Sequence, residues 1–168
     1  MAIIERALTP QEQKEISDHA SRAFGTLGLT APQGEPEAIL QAVEDFVDRW
    51  QDEKRRPLKK LFSRGPSPNP TSTSLGLGFL WGNQLVRRFG WVWTRIQDNG
   101  QETFAVVSPD RAIAVYPTQF LRVCLDDPRV DCTIMLAFNM LAAGKVSGVP
   151  ARSYENLMGG VHRIVPKR

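Results

Sequence analysis

Apolar residues recur at helical spacing in two stretches of the first third of the chain. The first follows a capping box, in which a threonine and a glutamate three residues later satisfy the first backbone amides of a helix. The box consists of Thr9, Pro10 and Glu12, and the apolar positions after it are Ile16, Ala20, Ala23 and Phe24. The second stretch begins near Pro36, with apolar positions at Ile39, Val43, Phe46, Val47 and Trp50. These patterns predict a helical N-terminal part over residues 1–65.

The segment from Leu75 to Asp98 combines a helical pattern with a strand pattern, divided at Gly90. Its first half has apolar positions three or four residues apart, at Leu75, Phe79, Gly82, Leu85, Val86 and Phe89. Its second half, residues 91–96, is rich in aromatic and β-branched residues, which favours a strand. We expect this segment to form both layers of the core.

Three glycines, Gly76, Gly78 and Gly82, lie within the predicted helix of this segment. Each costs roughly 1 kcal/mol relative to alanine in a helix, so they need a structural reason. Their spacing is one residue longer than the dinucleotide-binding fingerprint, and a Pro/Ser/Thr tract precedes them instead of a strand. We therefore expect them where another backbone packs closely against the helix, and not around a phosphate.

Two more short strands follow, over residues 103–107 and 112–116, each preceded by a turn signal. Helices are then predicted from Pro117 to Asp126 and over residues 131–143. Short connections between strands predict antiparallel pairing. The sequence thus predicts an α+β fold, with a short antiparallel three-stranded meander packed against several helices. Residues 66–74 are predicted as a linker to an α+β core over residues 75–168, all within one compact domain.

Composition limits the class of protein. The chain has 168 residues, of which 42% are hydrophobic, enough for one domain. It has no apolar run long enough to span a bilayer, and its first ten residues lack the apolar core of a signal peptide. Its two cysteines, Cys124 and Cys132, are too few for a disulfide scaffold. We expect a cytoplasmic protein without a membrane partner.

Positive charge is concentrated in the second part of the chain. Residues 71–168 contain 11 Lys and Arg against 7 Asp and Glu, which gives +4, within a total of +3. The densest basic cluster consists of Lys54, Arg55, Arg56, Lys59, Lys60 and Arg64. A binding patch for nucleic acid is one interpretation. A solvated helix end is the favoured interpretation, because acidic residues lie beside the cluster and cations are favoured at a helix C-terminus. Nucleic acid is therefore not the predicted partner.

No catalytic motif is present. His19 and His162 lie outside any recognisable pattern, and the two cysteines lack the paired close spacing of a zinc site. The sequence contains no phosphate-binding loop, nucleophile elbow or zinc-protease motif. It therefore predicts no catalytic residues, no metal and no cofactor.

The central motifs resemble those of a known bacterial family. They are the three spaced glycines from Leu75 to Gly82, the tryptophans Trp91 and Trp93 on a strand, and a strand that runs into Tyr116 and Pro117. Residues 72–127 with these motifs are similar to the uncharacterised domain of unknown function 3806. The resemblance implies a small bacterial α+β domain and brings no catalytic residues.

Two classes of function remain. The first is a non-enzymatic protein that binds another protein, similar in role to an immunity or adaptor protein. Its candidate interaction residues are Trp81, which lies off the apolar helix stripe, and Arg87, Arg88 and Arg95. The second is an enzyme or small-ligand-binding protein with a site assembled from Arg95, Tyr116 and His162. The sequence leaves the oligomeric state open.

Overall fold

The computed structural model of the protein describes residues 3–30, 34–56 and 68–164, with side chains as far as Val161. Six helices and five strands are formed in these ranges. The helices are α1 (Pro10–Thr26), α2 (Pro36–Arg55), α3 (Pro70–Phe89), α4 (Pro117–Asp126), α5 (Ile134–Ala142) and α6 (Leu157–Ile164). The strands are β1 (Ile4–Arg6), β2 (Val92–Asp98), β3 (Gln101–Val107), β4 (Ile113–Val115) and β5 (Glu155–Asn156).

The strands form one mixed sheet in the order β1-β2-β3-β4-β5. The predicted meander is present as β2, β3 and β4, with antiparallel pairing, and the α+β class is confirmed. The prediction of only three strands is wrong, because β1 adds antiparallel to β2 and β5 adds parallel to β4. These edge strands have three and two residues, too few to show an alternating pattern in the sequence.

Helix α3 is enclosed by other elements along most of its length. It packs against α1, α2, α4 and the sheet, so its buried residues are not confined to one stripe. It begins at Pro70, with the Asn69 side chain accepting a hydrogen bond from the amide of Thr71 at 2.8 Å. Residues 70–74, predicted as linker, are therefore the first turns of the helix, while residues 66 and 67 lie outside the described part.

The glycines of α3 lie at its close contacts: backbone approaches Gly76 and Gly78, as predicted, whereas Gly82 meets side chains and not backbone. A Cβ atom on Gly78 would lie 2.6 Å from the Cα atom of Thr118 in α4. One on Gly82 would lie 2.1 Å from the Trp93 ring. One on Gly76 would lie 3.0 Å from the Cβ atom of Ala23 in α1. These distances are shorter than van der Waals contact or close to it, so the glycines allow α3 to lie inside the fold.

The main hydrophobic core includes residues of all six helices and of one face of the sheet. A smaller cluster on the opposite face consists of Ile96, Ala105, Val107 and Ala114, with Ile3, Tyr116 and Tyr154 packed against it. Within the ranges that the structure describes, no helix is both long enough and apolar enough to cross a membrane.

Candidate functional site

Trp81 was a candidate interaction residue because it lies off the apolar stripe, and the structure corrects this. Its side chain is only 1% exposed and contacts the Phe120 ring edge-on, with ring centroids 5.8 Å apart. Trp81 is buried although it lies off the predicted stripe, because α4 covers that side of α3 as well. Trp81 is a core residue and leaves the set of candidate interaction residues.

Arg95 is held in an ion-pair network that joins β1, α1, β2 and β3. It pairs with Glu102 at 3.1 Å and with Glu12 at 3.4 Å, and Arg6 bridges the same two carboxylates at 2.6 and 2.8 Å. The hydrogen bond from Arg6 lowers the pKa of Glu12 to about 2. The Arg95 guanidinium also lies over the Phe104 ring, 4.2 Å from its centroid. These contacts assign Arg95 a structural role.

The alternative site of Arg95, Tyr116 and His162 is not assembled among the described residues. Arg95 faces the helices, opposite Phe104 in the register, whereas its neighbour Ile96 lies in the cluster on the other face. Tyr116 packs against that second cluster, so the sheet separates it from Arg95. His162 lies in α6, and its side chain is outside the described part.

Arg87 and Arg88 lie in the last turn of α3, where the helix dipole favours cations. Arg88 lies near the Phe89 ring, 5.8 Å from its centroid. Arg87 donates a hydrogen bond to the side-chain oxygen of Gln84 at 3.4 Å and lines an open groove. Of the four predicted interaction residues, Arg87 is the one that lines this groove.

This cavity, which we call the α1–β2 groove, lies between α1, the C-terminal half of α3 and the start of β2. It has a volume of about 820 Å³ and is lined by Ala7, Leu8, Gln13, Ile16, Ser17, Ala20, Ser21, Phe24, Leu80, Asn83, Gln84, Val86, Arg87, Trp91, Val92 and Trp93. Most of these residues are apolar. Among them Arg87 carries the only charge.

Polar side chains hold the shape of the groove. The indole N–H of Trp93 donates to the side-chain oxygen of Asn83 at 2.9 Å, which fixes the ring against α3. The Gln84 amide nitrogen donates to the carbonyl oxygen of Leu80 at 3.1 Å. The edge of the Trp93 ring also contacts Phe79, with centroids 5.7 Å apart. The wall of the groove is thus built of side chains whose positions are fixed by packing and hydrogen bonds.

Strand β2 pairs with β3 along its whole length, but at the end that borders the groove its pairing with β1 stops, and Thr94 there is only 1% exposed. Its pairing with β1 ends at Arg95, opposite Arg6, because the chain then turns towards α1. Residues 92–94 have no strand beside them on that side within the described ranges, although the Thr94 hydroxyl donates to the Arg6 carbonyl at 2.7 Å. Val92 is 44% exposed and is one of the exposed large apolar residues of the described part, with Ile4, Val123 and Leu136.

A second cavity, of about 950 Å³, is mostly polar and lies beside Glu5, Arg111 and Tyr154. Its charged groups are paired internally, since Arg111 donates to Glu5 at 3.0 Å and Tyr154 donates at 2.6 Å. Burial would raise the pKa of Glu5, but the hydrogen bonds from Arg111 and Tyr154 outweigh it and lower that pKa. A carboxylate held ionised in this way joins β1 to two loops and is poorly suited to accept a proton.

The two cysteines are buried in the main core. The hydrogen bond with the Cys124 thiol, together with burial, raises the pKa of Cys132 well above its ordinary value. The Cys132 thiol therefore stays protonated at neutral pH. Among the described residues no group of three or more metal-ligating side chains comes together.

The basic cluster at the end of α2 is partly described. Lys54 donates to the carbonyl oxygen of Leu125 at 2.6 Å, and Arg55 donates to that of Pro128. These cations thus bond to carbonyl oxygens in and just after the last turn of α4. Lys59, Lys60 and Arg64 lie outside the described residues, and the prediction that nucleic acid is not the partner stays a prediction.

Sequence reasoning missed the groove, although one signal for it is present. In a strand, successive side chains point to opposite faces, so the run Trp91, Val92, Trp93 must place an apolar residue on each face. The structure places Trp93 towards the helices and leaves Val92 exposed. The contributions of Leu8 and α1 depend on tertiary packing and have no local signal.

Comparison of the chain with models of known protein families, with curated proteins and with solved structures found no significant match. The resemblance of residues 72–127 to the domain of unknown function 3806 therefore stays a prediction.

Proposed function

We propose that the protein is a non-enzymatic binding protein, and that its α1–β2 groove receives an apolar segment of another protein. The observation that carries this proposal is the exposure of Val92 directly beside a groove walled by Trp91 and Trp93. Aromatic residues fixed in position are the typical centre of a binding surface, because little side-chain entropy is lost when they are covered.

The lining of the groove supports binding over catalysis. It contains neither a carboxylate nor a histidine nor a cysteine among the described residues, so it offers no group that exchanges a proton near neutral pH. Its hydroxyl groups, from Ser17 and Ser21, have no such base beside them within that lining. Apolar walls with a few polar groups are suited to hold a partner without reacting with it.

The proposal includes the role predicted from the sequence. We infer a cytoplasmic bacterial protein that acts on its partner by occupying it, as an immunity or adaptor protein does. The bacterial source is implied by the resemblance to the domain of unknown function 3806, and the cytoplasmic location by the composition.

The proposal is tested by selecting a phage-displayed library of random 12-residue peptides on the full chain. Enriched peptides are then measured by isothermal calorimetry against wild type, Val92→Asp and Val123→Asp. The two valines are a matched pair, because Val92 is 44% exposed beside the groove and Val123 is 49% exposed on α4. Equal unfolding transitions for the two variants control for damage to the fold.

We expect Val92→Asp to weaken binding by about tenfold or more, because it places a charge where apolar area is covered. Val123→Asp should leave the affinity within about twofold of wild type. Peptides that bind all three proteins equally, or a selection that enriches none, would contradict the proposal.

A second candidate function, binding of a small amphipathic carboxylate, is favoured by the groove volume. About 820 Å³ lies in the range of small-molecule sites, and Arg87 could pair with a carboxylate at the apolar wall. Titration of decanoate and indole-3-acetate, followed by the Trp fluorescence of wild type and Val92→Asp, tests this candidate. Saturable binding that the variant loses would favour it over the protein partner if peptide selection fails.

A further inference from the structure

We propose that Cys124 and Cys132 form a reversible disulfide within the folded chain when the protein is exposed to hydrogen peroxide. The inference concerns a covalent modification site in the main core and is independent of the α1–β2 groove. It rests on the placement of the two thiols, which is fixed by the packing of α2 against α4 and the segment that follows α4.

The chain returns to Cys124 after the end of α4. The Sγ atom of Cys124, in α4, lies 4.0 Å from the carbonyl oxygen of Asp131. Asp131 directly precedes Cys132 in the segment between α4 and α5. The two thiols also share a hydrogen bond, so their sulfur atoms are neighbours within the main core.

A side chain of α2 holds the two cysteine-bearing segments together. The Gln51 amide nitrogen donates to the carbonyl oxygen of Cys124 and to that of Val130, in both cases at 2.8 Å. Gln51 is only 4% exposed, so this bridge is part of the core. Cysteines form a disulfide without backbone movement only where their backbones already lie close together. The Gln51 bridge shows such an approach between the two segments, independently of the thiols themselves.

Burial limits which oxidant can reach the pair. Cys124 is 0% exposed and Cys132 is 6% exposed, which excludes a bulky disulfide reagent from the folded core. Residues 127–131, directly before Cys132, are half-buried or exposed, so only a short surface segment separates that thiol from water. Hydrogen peroxide is little larger than water and is therefore the oxidant that this site would meet. The chain contains no third cysteine, so each thiol has a single partner within the chain.

The reaction balances with peroxide as its only oxidant. The sulfur of one cysteine attacks the O–O bond, which gives a sulfenic acid and one water. The sulfur of the other cysteine then attacks the sulfenic sulfur, which forms the S–S bond and releases a second water. Both thiol hydrogens leave in these waters, the two sulfurs are oxidised and the peroxide is reduced.

The reaction should be slow and should stabilise the fold. Because the Cys132 thiol is protonated at neutral pH, it reacts more slowly than an exposed cysteine of low pKa. The new bond would tie the segment before α5 to α4 and restrict the unfolded chain. We therefore expect a response to prolonged peroxide exposure, which a dithiol reductant reverses.

The test treats the folded full chain with excess hydrogen peroxide and then measures its intact mass and its free thiols, labelled with N-ethylmaleimide in denaturant. We expect a mass lower by two hydrogen atoms, loss of both thiols and their recovery with dithiothreitol. Proteolysis without reductant should give two peptides linked between Cys124 and Cys132. The oxidised chain should unfold at a temperature several degrees higher than the reduced chain.

Cys124→Ala and Cys132→Ala are matched controls with one thiol each, and neither should lose two hydrogen atoms under the same treatment. Wild type that keeps both thiols, that gains oxygen on one cysteine instead, or that forms links only between chains would overturn the inference. So would a disulfide that forms only in urea or that lowers the unfolding temperature, because the fold would then not place the two sulfur atoms for this bond.

Discussion

Single residues show most clearly what could be read from the sequence. The three glycines of α3 were predicted to lie where another backbone packs closely, because a costly residue in a helix needs a reason. The contacts of Gly76 and Gly78 confirm this, whereas Gly82 makes room for the Trp93 ring. The sequence could not give the partner of each glycine, since the contacts join residues far apart in the chain. The sequence pattern misled at Trp81. A position off the apolar stripe is exposed only where other elements cover a single side of the helix, and α3 is covered on more than one side.

Two helical glycines provide a test of this packing. We expect Gly78→Ala to lower the free energy of unfolding by roughly 1–3 kcal/mol, because the new Cβ atom would lie 2.6 Å from backbone that has to move. In Gly25→Ala, in α1, the new Cβ atom would have no atom within 4 Å. This substitution should raise the free energy of unfolding by up to about 1 kcal/mol. Urea unfolding measures both, and equal effects of the two substitutions would contradict the packing.

Trp81 gives a second prediction at this scale. Trp81→Ala should cost about 3–5 kcal/mol of unfolding free energy, because it removes a large side chain that is 1% exposed. Trp81→Phe should cost less than half as much, since the indole N–H has no hydrogen-bond partner in the described structure and none is lost. Thermal and urea unfolding of both variants test this, and equal losses would show that the indole nitrogen matters.

At the scale of elements, the capping box of α1 was predicted correctly, whereas the starts of α3 and α5 were not. The capping box of α1 is present, with the Glu12 amide donating to Thr9 Oγ1 at 3.2 Å. Helix α5 was expected to start at Asp131, but it starts at Ile134. Its amide at Met135 donates instead to Glu44 of α2, at 2.9 Å. A cap supplied by a distant helix leaves no pattern in the sequence.

The Glu44 cap predicts a specific pH dependence. Burial raises the pKa of Glu44 in the folded protein above its ordinary value of 4.5, although the bond from Met135 opposes the shift. The folded state thus keeps this proton over a pH range in which the unfolded chain has lost it. The stability that Glu44 contributes is therefore fully present below pH 4.5 and is lost as the pH rises through the folded-state pKa.

We expect the unfolding free energy of wild type, minus that of Glu44→Gln, to fall as the pH rises above 4.5. Glu53→Gln, at the exposed end of the same helix, is the control for loss of one charge. Urea unfolding at several pH values gives the difference. A difference that stays constant or increases with pH would show that Glu44 is not held in this buried position.

At the scale of the whole molecule, the sequence predicted the fold class and the central meander, while the edges of the sheet depended on tertiary structure. Strand β1 has three residues, with Ala7 and Leu8 between it and the α1 capping box, and its pairing with β2 ends at Arg95. The α1–β2 groove arises where this end, α1 and α3 meet. No single stretch of sequence encodes such a site. The ligand site predicted from Arg95, Tyr116 and His162 therefore shares no described residue with the groove.

The most direct test of the binding proposal is NMR mapping of a selected peptide on the ¹⁵N-labelled protein. We predict the largest shift changes at the indole N–H of Trp93, at the amides of residues 91–94 and along the groove side of α1. The indole N–H of Trp93 reports on the site because it is fixed to Asn83 within the groove. Changes confined to the exposed faces of α4 and α5, around Val123 and Leu136, would place the binding surface elsewhere and contradict the account.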